Sequence, residues 1–119
     1  MGTILLENMK FHAFHGVLPE ERTVGNTYSV TVKFTFDFSK AAKSDDLGET
    51  INYAEVYELV KGEMRQESKL IEHVAQRILD RMLLRFSQIK SAEVRLSKHN
   101  PPLSGEVGKS TVILFYPEY

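Results

Sequence analysis

Six large apolar residues, Tyr28, Val30, Val32, Phe34, Phe36 and Phe38, occupy every second position of one stretch, and Ser29, Thr31, Lys33, Thr35 and Asp37 fill the gaps. Side chains of an extended strand alternate between its two faces, so a period of two over this length demands a long strand with one dry face and one wet face. A helix would scatter the same residues around its circumference. The chain must therefore build a sheet that is covered on one side, and the remaining segments have to supply partner strands and the cover.

Residues 3–14 read as a second strand, joined to 27–38 by HGVLPEERTVGN. That connection is too long for a tight hairpin, and long connections in small domains are often functional. Residues 39–52 (SKAAKSDDLGETIN) form a polar connection. A helix is predicted to start near Asn52 or Tyr53, with Val56, Leu59, Val60 and Met64 as its apolar stripe. Gly62 costs that helix about 1 kcal/mol relative to Ala and predicts an early end or a bend. A second helix is predicted from Leu70 to Phe86, where Ile71, Val74, Ile78, Leu79, Met82, Leu83 and Phe86 fall at helical spacing. Strands resume at 89–98 and 107–116, separated by HNPPLSGE. The order ββααββ predicts an α+β fold: an antiparallel four-stranded sheet with two helices on one face, in a single domain spanning 1–119.

The second face of this sheet carries short polar residues and tolerates water. A chain of 119 residues buries roughly two-thirds of its unfolded surface, which leaves little core to hollow out for a pocket. Closing several sheets into a shared barrel would protect their edges and allow a pocket between subunits. Assembly is the expectation.

Lysine and arginine number 15 and aspartate and glutamate 16, interspersed along the chain. Without a basic face, a nucleic acid or an anionic membrane is not an expected partner. Cysteine is absent, so disulfides, thiolate catalysis and cysteine-bound metals are excluded. The stretch MGTILLENMKFHAF lacks a charged region followed by an apolar signal core. No apolar run approaches membrane-spanning length, and a cytoplasmic location is expected.

Two charged residues stand out by position. Ala92, Val94, Leu96 and Lys98 share one face of their strand, so Lys98 closes a core-facing row. A partly desolvated ammonium suits proton transfer, although a lysine at a strand end can equally extend into water. Glu72 falls in the first turn of the second helix. A carboxylate there can accept two adjacent N–H donors from a ligand while free backbone N–H groups meet an acceptor. It can also simply favour the positive end of the helix dipole. Of the four histidines, His12 and His15 are three apart on an extended segment and point to opposite faces, and His73 is isolated on a helix. No pair has the spacing of a zinc site, and no metal is expected. Arg22 and Arg95 are expected in surface ion pairs, and Asn52 as a helix cap.

Four blocks, HGVLPEER (15–22), DDLGETINYAEV (45–56), LIEHVAQRI (70–78) and SKHNPPL (97–103), together resemble the dihydroneopterin aldolase family over essentially the whole chain. The resemblance implies the tunnelling fold, in which four subunits close a barrel and two rings stack into an octamer with active sites between subunits. It also implies a pterin substrate and no metal or organic cofactor. Lys98 would be the principal acid–base residue. Glu21, rather than its neighbour Glu20, would hold Lys98 or a substrate-side water, and Tyr53 would reach a neighbour's site to protonate the intermediate. Glu72 would grip the pterin, lined by Leu70, Ile71, Thr50 and Ile51. The implied reaction cleaves dihydroneopterin to 6-hydroxymethyl-dihydropterin and glycolaldehyde in folate biosynthesis, with epimerase activity alongside. A dihydroneopterin triphosphate epimerase and a silent pterin-binding protein are the alternatives. The first would need extra cations, and no basic cluster lies near the implied site. His99 stands where the family usually has proline, which puts the geometry just after Lys98 in question.

Overall fold

The computed structural model describes residues 1–118. Four strands, β1 (Gly2–Ala13), β2 (Asn26–Phe36), β3 (Ser91–His99) and β4 (Lys109–Tyr116), form one antiparallel sheet in the order β1-β2-β3-β4. Tyr28, Val30, Val32, Phe34 and Phe36 are at most 1 % exposed. The alternating row of β2 is thus the centre of the core. Phe38 departs from the strand and packs on this core from the start of the next helix.

Two long helices, α3 (Tyr53–Met64) and α4 (Ile71–Arg85), cover that face. Asn52 caps α3 by accepting the Ala54 N–H at 2.9 Å, as its side-chain chemistry predicts. Val56, Val60 and Met64 from α3 meet Val74, Ile78 and Met82 from α4 in the core. Gly62 neither stops nor redirects α3, which runs two residues beyond it.

Beyond the two expected packing helices, two shorter helices lie in the polar connections. These are α1 (Pro19–Thr23) and α2 (Ser39–Ser44), the latter followed by a 3₁₀ turn at Leu47–Glu49. The start of α1 has a local cause. Pro19 presets the first helical position, and Glu21 reaches back to accept the Leu18 N–H at 3.3 Å.

β1 also departs from simple alternation. Its register with β2 shifts between Leu6 and Met9, and Asn8 adopts φ 55° while its N–H donates to Thr31 Oγ1 at 2.9 Å. This bulge switches the core-facing row from Ile4 and Leu6 to Met9, Phe11 and Ala13.

The second face is polar and locally cross-linked. Ser97 bonds Thr111 (2.7 Å), Thr3 bonds Thr35 (2.9 Å), and Arg95 pairs with Glu93 (2.8 Å). A shallow cavity of about 580 Å³ lies over it, lined among others by Leu5, Glu7, Thr31, Arg95 and Ile113. Among the described residues no helix is long and apolar enough to cross a membrane.

Candidate active site

Lys98 sits at the end of β3, opposite Tyr28 on β2 and on the helix-covered face. Its Nζ lies 2.6 Å from Glu21 Oε2 and 6.0 Å from the centre of the Tyr28 ring. Both charged side chains are largely withdrawn from water, at 14 % and 10 % exposure. Burial alone would raise the pKa of Glu21. Hydrogen bonds from Lys98 and from the Leu18 backbone, with the charge of Lys98, outweigh it and hold the carboxyl below its usual value. An ammonium and a carboxylate in this setting form a unit that can donate a proton at one end and accept one at the other.

Gly16 makes room for Glu21. Its φ is 152°, and a Cβ there would stand 2.3 Å from the Glu21 carboxyl carbon. Glu20, the rival acid, is exposed. Arg22 is not in an ion pair among the described residues; its Nε donates to the Gly16 carbonyl at 3.4 Å and ties α1 back to the loop that precedes it.

Beneath the pair lies a layer that sequence reasoning did not assign. Tyr28, fully buried, donates its hydroxyl to the His15 carbonyl at 2.7 Å. Burial, aided by the charge of Glu21, pushes its pKa up to about 12. His15 is also fully buried, because β1 ends at Ala13 and the chain turns its ring into the core. The opposite-faces argument for His12 and His15 therefore does not apply. His12 is exposed, with Nε2 3.0 Å from the Val24 carbonyl.

The other predicted residues fall into two groups. Glu72 stands exposed in the first turn of α4, whose N-terminus no side chain caps. Leu70 beside it is 52 % exposed, whereas Ile71 is buried in the core. Tyr53 opens α3 at 60 % exposure, Thr50 is half-buried, and Ile51 is buried. Ile51 and Ile71 therefore have only backbone groups to offer a ligand. Among the described residues the side chains of Glu72 and Tyr53 make no hydrogen bond or ion pair. The fold brings Glu21 to Lys98. It links neither Glu72 nor Tyr53 to that pair by a hydrogen bond, and Tyr53, Leu70, Val17 and Leu18 leave apolar surface exposed within one chain.

His99 does not disturb the strand end. β3 continues through it, its Nε2 meets Ser29 Oγ at 2.9 Å on the polar face, and the loop begins at Asn100 with φ 46°.

A sequence model of the dihydroneopterin aldolase family matches residues 4–115. The chain belongs to the dihydroneopterin aldolase family. It is 39% identical to the dihydroneopterin aldolase of Staphylococcus epidermidis over 103 residues, which cover 86% of this chain and 85% of that one. To the Bacillus subtilis dihydroneopterin aldolase it is 38% identical over 106 residues, or 88% of each chain. The crystal structure of E. coli dihydroneopterin aldolase in complex with neopterin superposes with a TM-score of 0.88 at 26% identity, covering 97% of this chain and 98% of that one. The chain thus has the tunnelling fold and belongs to an enzyme family of folate biosynthesis.

Within the chain, the signals that could have pointed to the buried layer were small. A histidine just past a strand, followed by a glycine, marks a sharp change of direction but says nothing of burial. Arg77 is equally inconspicuous on an amphipathic helix. It bonds Glu63 Oε1 at 3.0 Å and the Gln66 carbonyl at 2.8 Å, holding the α3–α4 connection in place.

Proposed function

We propose that Lys98 and Glu21 carry out the proton transfers of a retro-aldol cleavage of 7,8-dihydroneopterin, with Glu72 holding the pterin. The 2.6 Å Lys98–Glu21 contact, sheltered from water, is the observation that carries this reading. The pterin presents an amino group and a ring N–H side by side, which the Glu72 carboxylate accepts in a bidentate grip. The uncapped first turn of α4 supplies backbone N–H groups for the adjacent carbonyl. Leu70 and Thr50 line the ring through their side chains, and Ile71 and Ile51 through their backbone.

Loss of the proton on the second side-chain hydroxyl, to a water oriented by Glu21, breaks the bond between the first and second side-chain carbons. Glycolaldehyde leaves, and the electron pair flows into the ring imine, whose nitrogen takes a proton from Lys98. Protonation of the first side-chain carbon and loss of the nitrogen proton then give 6-hydroxymethyl-7,8-dihydropterin. The ring imine is itself the electron sink, so the reaction calls for neither a lysine Schiff base nor a Lewis acid. Re-addition of glycolaldehyde to the opposite face gives the epimer.

Tyr53 is the proton carrier to carbon, from a second copy of the chain. Its exposure and that of Val17, Leu18 and Leu70, with β1 and β4 as the outermost strands of the sheet, support a site completed between subunits of a closed barrel, in an octamer. Incubation with dihydroneopterin and with its triphosphate, each with and without a metal chelator, tests the reading. Glycolaldehyde release unaffected by the chelator is expected. Isomerisation of the triphosphate alone, or binding without turnover, would overturn it.

A further inference from the structure

Residues 15–16 and Ser68 meet without belonging to any strand. The Gly16 N–H donates to the Ser68 carbonyl at 3.0 Å, and the Ser68 N–H donates to His15 Nδ1 at 3.2 Å. Each side of this contact leads directly to a candidate site element. Five residues after Gly16 comes Glu21, and α4 begins three residues after Ser68. Arg77 Nη2 steadies Ser68 by donating to its Oγ at 3.2 Å, and Ser68 Oγ also meets His73 Nδ1 at 2.7 Å. On the other side, Tyr28 holds the His15 carbonyl at 2.7 Å and sets its ring against the His15 ring at 5.2 Å, while lying opposite Lys98 in the sheet.

We propose that His15 is a positioning residue: its Nδ1 lone pair, by accepting the Ser68 amide, clasps the segment carrying Glu21 to the segment that opens α4, and so keeps Glu21 against Lys98. The inference rests on the reading that the Lys98–Glu21 pair transfers the protons. A backbone N–H can be met only by a lone pair, so the single proton of the neutral ring sits on Nε2. Nε2 makes no hydrogen bond among the described residues, and the Met64 carbonyl at the end of α3 favours a proton on the ring. A second proton on the ring would abolish the Ser68 bond. It would also place a cation in a buried position facing Arg77 of α4 and Lys98 of β3. Tyr28 of β2 is neutral and already spends its hydroxyl on the His15 carbonyl, and Glu21 of α1 is paired with Lys98. The Met64 carbonyl of α3 offsets this only in part, and burial with the two cations holds the ring neutral down to about pH 4. The clasp thus stays closed at neutral pH and down to about pH 4.

Two substitutions separate the acceptor from the packing. His15→Phe keeps the ring and removes the lone pair, whereas His15→Asn sacrifices the ring but places an acceptor oxygen where Nδ1 stood. Glycolaldehyde release from dihydroneopterin is measured across pH for both. His15→Phe should lower kcat about tenfold or more with a much smaller change in KM. It should also move the acid limb of the kcat profile upward, because a carboxyl released from Lys98 regains an ordinary pKa. His15→Asn should recover most of the rate and the original limb. A merely structural role would lower the folded fraction without moving the limb. Wild-type kinetics in His15→Phe, or equal losses in both variants, would overturn the inference. Lys98→Ala serves as the control: if it turns over normally, the reading of the catalytic pair is wrong, whereas an inactive Lys98→Ala beside a normal His15→Phe refutes the clasp alone. Should His15→Phe fail to fold, nitrogen NMR of histidine-labelled wild-type protein decides. A proton on Nε2 at neutral pH is expected, and a proton on Nδ1 overturns the proposal.

Discussion

Glu21 and Lys98 stand 77 positions apart in the chain and 2.6 Å apart in space. One comes from a short helix inside the first connection and the other from the last residues of a central strand. Their contact joins the first connection to the end of β3 at a single sheltered point, and in the proposed mechanism the proton transfers run through it.

Lys98→Ala and Glu72→Ala should give opposite kinetic signatures. Loss of the proton-transfer group is expected to cut kcat by about 10²–10⁴ with a modest change in pterin affinity. Loss of the Glu72 carboxylate should chiefly abolish binding, read as a steep rise in KM or as lost pterin binding by calorimetry. Swapped phenotypes would refute the role assignments.

Gly16 and Gly62 predict contrasting responses to the same change. Gly16→Ala forces a side chain into the Glu21 carboxyl at a backbone angle that L residues avoid, so activity should drop sharply and the thermal midpoint should fall. A Cβ on Gly62 meets nothing within 4 Å, and Ala there should stabilise α3 by about 1 kcal/mol. Thermal unfolding of the two variants side by side checks the pair.

Stability should depend on pH through His15. Its folded pKa is depressed from 6.5 to about 4 by burial, with the charges of Arg77 and Lys98 adding to the effect. The unfolded chain therefore binds a proton that the folded chain refuses between those values. The stabilisation is complete above pH 6.5 and is lost as pH falls toward 4, amounting to about 3 kcal/mol at about 1.4 kcal/mol per unit. Glu21, also depressed, extends the loss at lower pH. Denaturant midpoints measured from pH 7 to pH 4 should decline, and His15→Asn should flatten the upper part of that decline.

Arg77→Ala should destabilise the protein on the order of 3 kcal/mol, because it leaves the withdrawn Glu63 carboxylate without its close partner. Arg81, 3.7 Å from the other Glu63 oxygen, compensates in part. Urea unfolding measures the loss, and an unchanged midpoint would show the network to be energetically idle.

The proposed sharing of sites between subunits predicts complementation. Tyr53→Phe should alter how the intermediate divides between product and epimer. Lys98→Ala and Tyr53→Ala subunits, each impaired alone, should regain activity when co-assembled, since some mixed sites then hold both native residues. Absence of any regain in verified mixed oligomers would place Tyr53 and Lys98 in the same subunit's site.

Local periodicity carried much of the architecture. The alternating row of β2, the stripes of α3 and α4, the Asn52 cap and the inward row ending at Lys98 depend only on side chains a few residues apart, and each is present in the structure. The bulge in β1 was also written in the chain, where the apolar positions change from even (Ile4, Leu6) to odd (Met9, Phe11, Ala13). So was α1, in the proline followed two residues later by Glu21.

The chain alone determined a half-covered antiparallel sheet, its two packing helices and a lysine brought to the edge of the core, because strand and helix periods act residue by residue. The resemblance offered Glu21 to that lysine or to a water, and only the tertiary structure decided that it meets the lysine, that His15 is buried against Tyr28 and Ser68, and that Ile51 turns into the core. Those outcomes depend on which distant segments meet and how much water they expel. No spacing along the chain encodes that.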